Sequence, residues 1–132
     1  MRVVVHVDGG ARGNPGPAAI GAVVTTPEGD VLDESHARIG DATNNVAEYR
    51  GLLYGLERAR ALGATEVEIV NDSELVARQV AGQYKVKQDH LKPLHAQALD
   101  ALAEFESWSI RSVPRERNAR ADALVNEALD SA

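Results

Sequence analysis

The hydrophobic period of this chain changes once, near residue 43, and that change limits the folds open to it. Upstream, three runs read as strands. "RVVVHVD" (2–8) is β-branched and almost continuously apolar, as a central strand covered on both faces must be. "AAIGAVVTT" (18–26) and "VLDESHARI" (31–39) follow, divided by the Pro/Gly turn signal "PEGD" (27–30). Downstream, over 43–63, Val46, Tyr49, Leu52, Leu53, Leu56, Ala59 and Leu62 recur at helical spacing. Thr43 or Asn44 can cap that helix, and Gly63 stands where a C-terminal glycine belongs. The spacing then predicts a strand at 66–72, a helix at 73–82 capped by Ser73, a helix at 89–105, a strand at 108–114, and an amphipathic helix at 118–130 capped by Asn118.

The order βββ-α-β-α-α-β-α predicts an α/β fold: a mixed sheet of three antiparallel strands and two parallel ones, with helices packed on it. A right-handed crossover through helix 43–63 lays strand 66–72 parallel to strand 2–8. With 132 residues and no repeat or linker, the expectation is one domain, 1–132. There are no cysteines, which excludes disulfides and thiolate metal sites and points to a cytoplasmic location. No apolar run approaches the length of a bilayer, and the N-terminus lacks a signal-peptide layout, so no membrane partner is expected. Net charge is −6, which on its own speaks against nucleic-acid binding, since that normally needs a basic footprint.

The Gly-rich stretch "DGGARGNPGP" (8–17) follows a strand, as phosphate cradles do, but the match fails. No Lys follows the glycines, Pro15 and Pro17 lack backbone donors, and the next segment is a strand rather than a helix. A hairpin loop is the simpler reading. Asp8 is the odd residue. It shares a strand face with Val4 and His6, and a carboxylate there is costly unless paired or metal-bound.

Three more acids are placed as awkwardly. Glu48 borders the sheet-facing stripe of its helix, one turn before Leu52. Asp72 ends a parallel strand, at the sheet edge where ligands bind in α/β folds. Asp122 sits between Ala121 and Ala123, in line with Val125 and Leu129. Each has an ordinary alternative: Asp72 as a helix cap, Asp122 as a first-turn acid favoured by the helix dipole, Glu48 at a helix edge. Together they converge. Such a cluster repels itself, and divalent cations are the natural compensation. All-oxygen donors favour Mg²⁺ or Mn²⁺ over zinc, in a two-metal site suited to phosphate substrates.

"DGGARGNPGPAAIG", "TNNVAEYRGLLYGL", "VNDSELV" and "VPRERNARADALVNEAL", in that order, resemble the four signatures of the ribonuclease H type 1 family over nearly the whole chain. The resemblance implies a five-stranded sheet of order 3-2-1-4-5 with helices on both faces. It implies an endoribonuclease that cleaves the RNA strand of RNA–DNA hybrids. Asp8, Glu48, Asp72 and Asp122 would be catalytic and metal-binding, with Asp8 shared between two Mg²⁺ ions and Mn²⁺ able to substitute. Products would carry 5′-phosphate and 3′-hydroxyl ends. Substrate contacts carried over are Gly9, Gly10, Ala11 and Asn14 on the 2′-hydroxyls, Thr43 on a phosphate, Asn44 and Asn45 in the groove, and Ser73, Lys85 and Arg115.

Two departures stand out. "GQYKVKQDHLKP" (82–93) is too short for the family's basic protrusion, leaving Lys85 and Lys87, and 111–121 lacks the loop His. The chain thus resembles a short-loop, archaeal-like branch. Arg115 is the candidate stand-in for the His, but an always-charged guanidinium binds phosphate rather than shuttling protons. The alternatives are a related nuclease acting also or mainly on double-stranded RNA, and a hybrid-binding module without catalysis. His6 reads as a packed residue rather than a ligand, and Leu102, Phe105 and Trp108 as core.

Overall fold

The computed structural model describes residues 1–131. Its strands are β1 (Arg2–Ala11), β2 (Gly16–Thr25), β3 (Val31–Ala42), β4 (Glu66–Asn71) and β5 (Ser107–Ser112). Its helices are α1 (Asn44–Ala61), α2 (Glu74–Val80), α3 (Lys92–Leu102) and α4 (Ala119–Asp130), with short 3₁₀ turns at Asp89–Leu91 and Arg115–Asn118. The sheet order is β3-β2-β1-β4-β5. β2 pairs antiparallel with β1 and β3, while β4 runs parallel to both β1 and β5, as expected.

Alternation along β1 divides the molecule. Val3, Val5 and Val7 are buried against Leu52 and Leu56 of α1 and form the main core with Leu102 of α3. Val4, His6 and Asp8 face the other side, where α4 packs Val125 and Ala128 on Ala19 of β2. Helices therefore cover both faces. Thr43 caps α1 by accepting from the Val46 N–H at 3.3 Å, and Gly63 follows the helix with φ 86°. Among the described residues no helix is long and apolar enough to cross a membrane.

Several boundaries differ from the sequence reading. Gly9, Gly10 and Ala11 are not loop but strand, paired with Ile20, Ala19 and Ala18. Nothing in that tripeptide removes a backbone donor, so the ladder runs on until Arg12, and the hairpin loop shrinks to 12–15. The helix expected over 89–105 starts as a 3₁₀ turn and becomes α-helical only at Lys92, with Pro93 in the first turn, where a missing N–H costs nothing. Asn118 sits at the start of α4 but makes no capping bond. Leu102 and Phe105 are core, but Trp108 is 36% exposed, because β5 is an edge strand.

Candidate active site

The four acids reach one cleft from four elements. Asp8 lies on β1, and Asp72 directly follows the last residue of the parallel neighbour β4. Glu48 projects from the start of α1 and Asp122 from the first turn of α4. Glycines set how closely these elements meet. A Cβ on Gly51 of α1 would stand 2.5 Å from the Asp8 carbonyl oxygen. Gly21, the cross-strand partner of Asp8, lies so close beneath α4 that a Cβ there would be 2.9 Å from the Ala121 carbonyl oxygen. The result is an open cleft of ≈ 380 Å³ lined by Asp8, Glu48, Asp72 and Asp122, with Gly9, Gly10, Ala11, Arg12, Asn44 and Arg115 around them.

Electrostatics in the cleft are those of four acids with a single loosely held counter-charge, Arg115. Burial, and then the charges of Asp72 and Asp122, push the Asp8 carboxyl up to about 8. Burial also raises Asp72, against the lowering effect of Arg115. It raises Glu48 too, with the Ser73 hydroxyl opposing the shift. The Asp72 Oδ2 atom is buried and has no hydrogen-bond partner among the described residues, and Arg115 Nε stops 3.7 Å away. Among the described residues no three acids or histidines close round a single point, so this is an open donor set rather than a finished cage. An open set of carboxylates with one orphaned oxygen fits Mg²⁺ or Mn²⁺, which take few protein oxygens and complete their shells with water and substrate.

The remaining candidates divide. Gly10, Ala11 and Asn44 line the cleft. Gly9 contributes only backbone there: its α side faces the helix, where a Cβ would collide with the Ala47 carbonyl, so its smallness serves packing. Asn14 does not reach out freely, since its Oδ1 accepts from the Asn44 N–H at 3.0 Å. Asn44 answers by accepting from the Ala11 N–H at 3.0 Å, and the pair ties the hairpin loop to the start of α1. The Thr43 hydroxyl accepts in its cap, which leaves its own proton available to a phosphate oxygen. Asn45 is half-buried beside it. Ser73 is buried and caps α2 through the Val76 N–H at 3.2 Å, so the cap is Ser73 and not Asp72. Lys85 is not brought to the acids: it lines a separate groove of ≈ 480 Å³ with Tyr84 and Lys87, because residues 83–88 fold back along α2.

His6 packs in a pocket beneath the start of α4 with Asn118, consistent with the packed reading. Two cleft residues escape a sequence reading. Asn126 lies one turn beyond Asp122, a spacing that would have revealed it. Arg12 is ion-paired to Asp130 at 2.7 Å, a partner no local signal announces.

A 3-2-1-4-5 mixed sheet with four acids gathered where β1 and β4 meet α1 and α4 defines a ribonuclease H-type domain. A family model described as reverse transcriptase-like matches residues 6–128. The chain is 52% identical over its whole length to the bifunctional protein Rv2228c of Mycobacterium tuberculosis, and spans 36% of that relative. It is 45% identical to ribonuclease H1 of the halophilic archaeon Halobacterium salinarum, with TM-score 0.98 and all of both chains covered. A crystal structure of LC11-RNase H1 with an RNA/DNA hybrid aligns over 97% of this chain and 96% of that one, at 48% identity and TM-score 0.93. This chain belongs to the reverse transcriptase-like family and, within it, to the ribonuclease H type 1 proteins. The solved archaeal chain aligns in full, while this chain spans 66% of the length of the Halobacterium salinarum ribonuclease HI.

Proposed function

We propose that residues 1–132 act as one ribonuclease H domain, an endonuclease that hydrolyses the RNA strand of RNA–DNA hybrids. The observation that carries this reading is the convergence of Asp8, Glu48, Asp72 and Asp122 on one open cleft, with Asp8 pushed up to about 8 by burial and by its neighbours. The relative solved with an RNA/DNA hybrid supports the substrate class.

Asp8, whose carboxyl feels the charges of both Asp72 and Asp122, would hold the metal ions together with Glu48, Asp72 and Asp122. Two bound Mg²⁺ ions, with Mn²⁺ able to substitute, would supply an activated water and neutralise the leaving 3′ oxygen, giving 5′-phosphate and 3′-hydroxyl ends. The rest of the work belongs to the chain. The Gly10–Ala11 backbone and Asn44 offer a low wall against which the minor groove and its 2′-hydroxyls can lie. Thr43 donates to a phosphate oxygen and Asn45 adds a groove contact. Arg115, 78% exposed at the cleft mouth, binds phosphate as a fixed charge.

Cleavage of end-labelled hybrid, double-stranded RNA and double-stranded DNA at one salt concentration tests the reading. Hybrid cleavage in Mg²⁺ or Mn²⁺, with 5′-phosphate ends, is expected. Asp8→Asn and Asp72→Asn should each lower the rate on the order of 10³-fold or more, about 4 kcal/mol of transition-state stabilisation, with the fold intact by circular dichroism. Undiminished cleavage in excess EDTA, or preferred cutting of double-stranded RNA, overturns it.

A further inference from the structure

Arg115 differs from the other ion-paired arginines. Arg12, Arg58, Arg78, Arg111 and Arg120 each meet a carboxylate at 2.7–3.0 Å. Arg115 Nε stops 3.7 Å from Asp72 Oδ2, beyond hydrogen-bond reach. The two ends are also mismatched in exposure, 78% for the Arg115 side chain against 12% for Asp72. Asp72 Oδ2 is therefore hidden from water and yet has no hydrogen-bond donor, a costly state for a carboxylate oxygen. Arg115 opens the 3₁₀ turn Arg115–Asn118, and that turn is anchored. The Arg117 N–H donates to the Pro114 carbonyl at 2.9 Å, and Asn118 Nδ2 donates to the Val7 carbonyl at 2.9 Å. The base of the side chain is held beside the cleft while its tip is in solvent.

We infer that Arg115 is a displaceable counter-ion of Asp72, occupying the approach to Oδ2 until a divalent cation takes that oxygen, and so setting the cation concentration the domain requires. The inference rests on the metal-dependent reading above. Guanidinium and cation are like charges drawn to one carboxylate, so each weakens the hold of the other. Because the guanidinium is exposed and not hydrogen-bonded, its hold is that of a surface pair, strong enough to compete and weak enough to yield. Arg115 opposes the rise of Glu48 as well as that of Asp72, and it lines the cleft together with both. Once displaced, the guanidinium stands at the cleft mouth with its donors free for a substrate phosphate. One side chain would then pass from carboxylate to phosphate as the site loads, acting as a positioning residue through Asp72.

The test is Mg²⁺ binding to the intact domain without nucleic acid, followed by Mg²⁺-dependent thermal stabilisation. Arg115→Ala should lower the Mg²⁺ dissociation constant about two- to fivefold, the reach of an exposed ion pair. Arg115→Lys, which keeps the charge, should return it toward the wild-type value. Adding Arg115→Ala to Asp72→Asn should have a clearly smaller effect than Arg115→Ala alone, since the carboxylate it chiefly competes for is gone. Mg²⁺ binding that is unchanged or weaker in Arg115→Ala overturns the counter-ion role while leaving the metal site standing. A wild-type domain that binds no Mg²⁺ overturns the metal-dependent reading and this inference together.

Discussion

Asp8 stands one pleat beyond His6 on the middle strand of the sheet, with burial on one side and two further acids in front. It holds its proton up to about pH 8, whereas an aspartate in the unfolded chain gives it up near pH ~4. Between those values the folded state binds more protons than the unfolded one. Stability is therefore fully present below about pH 4 and is lost as pH rises toward 8. Asp72 and Glu48 are raised as well and act in the same sense. Asp33 is lowered by its bond to Arg58 and acts in the opposite sense, losing its contribution only as pH falls below the ordinary carboxylate range. In EDTA the urea midpoint should decline from pH 5 to pH 8. Mg²⁺ should flatten that decline, and so should Asp8→Asn without any metal. Denaturation series at fixed ionic strength check both.

At the scale of elements, the cleft depends on how closely two helices approach the sheet. α1 comes close because Gly51 lies against the backbone of Asp8 and Gly9 against that of Ala47, and the helical spacing that announces α1 says nothing of this. α4 is located by Asn118, whose place before an amphipathic run looks like a cap. Its amide instead reaches β1 and donates to the carbonyl of Val7, next to Asp8. Asn118→Ala leaves that buried carbonyl without its donor and should cost about 1–3 kcal/mol in urea unfolding. The same change loosens the start of the helix that carries Asp122. Steady-state cleavage should therefore show a fall in kcat larger than any rise in KM, since the hybrid-facing wall at Gly10, Ala11 and Asn44 is untouched.

Across the whole molecule, the charge of −6 sets how substrate is held. Most arginines are spent on carboxylates of this chain. Among the described residues, Arg2, Arg38, Arg50, Lys85, Lys87 and Arg117 enter no ion pair within the chain, and Arg115 holds its partner loosely. Few free cations mean few phosphates neutralised. Hybrid affinity, measured by fluorescence anisotropy with the non-cleaving Asp8→Asn variant, should fall with a slope no steeper than about −6 in log affinity against log salt. A much steeper slope would show that phosphates are bound by more of the surface than these residues. Lys85 and Lys87, gathered with Tyr84 in their own groove, contribute at a distance from the acids rather than among them.

The sequence by itself determined the order of elements, the parallel pairing of β1 with β4, the start of α1 at a cap of Thr43 or Asn44 and the four acids that meet. These follow from hydrophobic period, turn residues and capping, which act within a turn or two of chain, and from the single handedness open to the crossover. Only the tertiary structure decided that Gly9 serves a helix, that Asn14 is tied to Asn44, that Lys85 lies outside the cleft and that Trp108 is exposed on an edge strand. It alone brought Asn118 to Val7, 111 residues away, and left Arg115 short of Asp72. The physical reason is that such contacts are set by how far layers can approach before backbone meets backbone, a distance that no local pattern along the chain encodes.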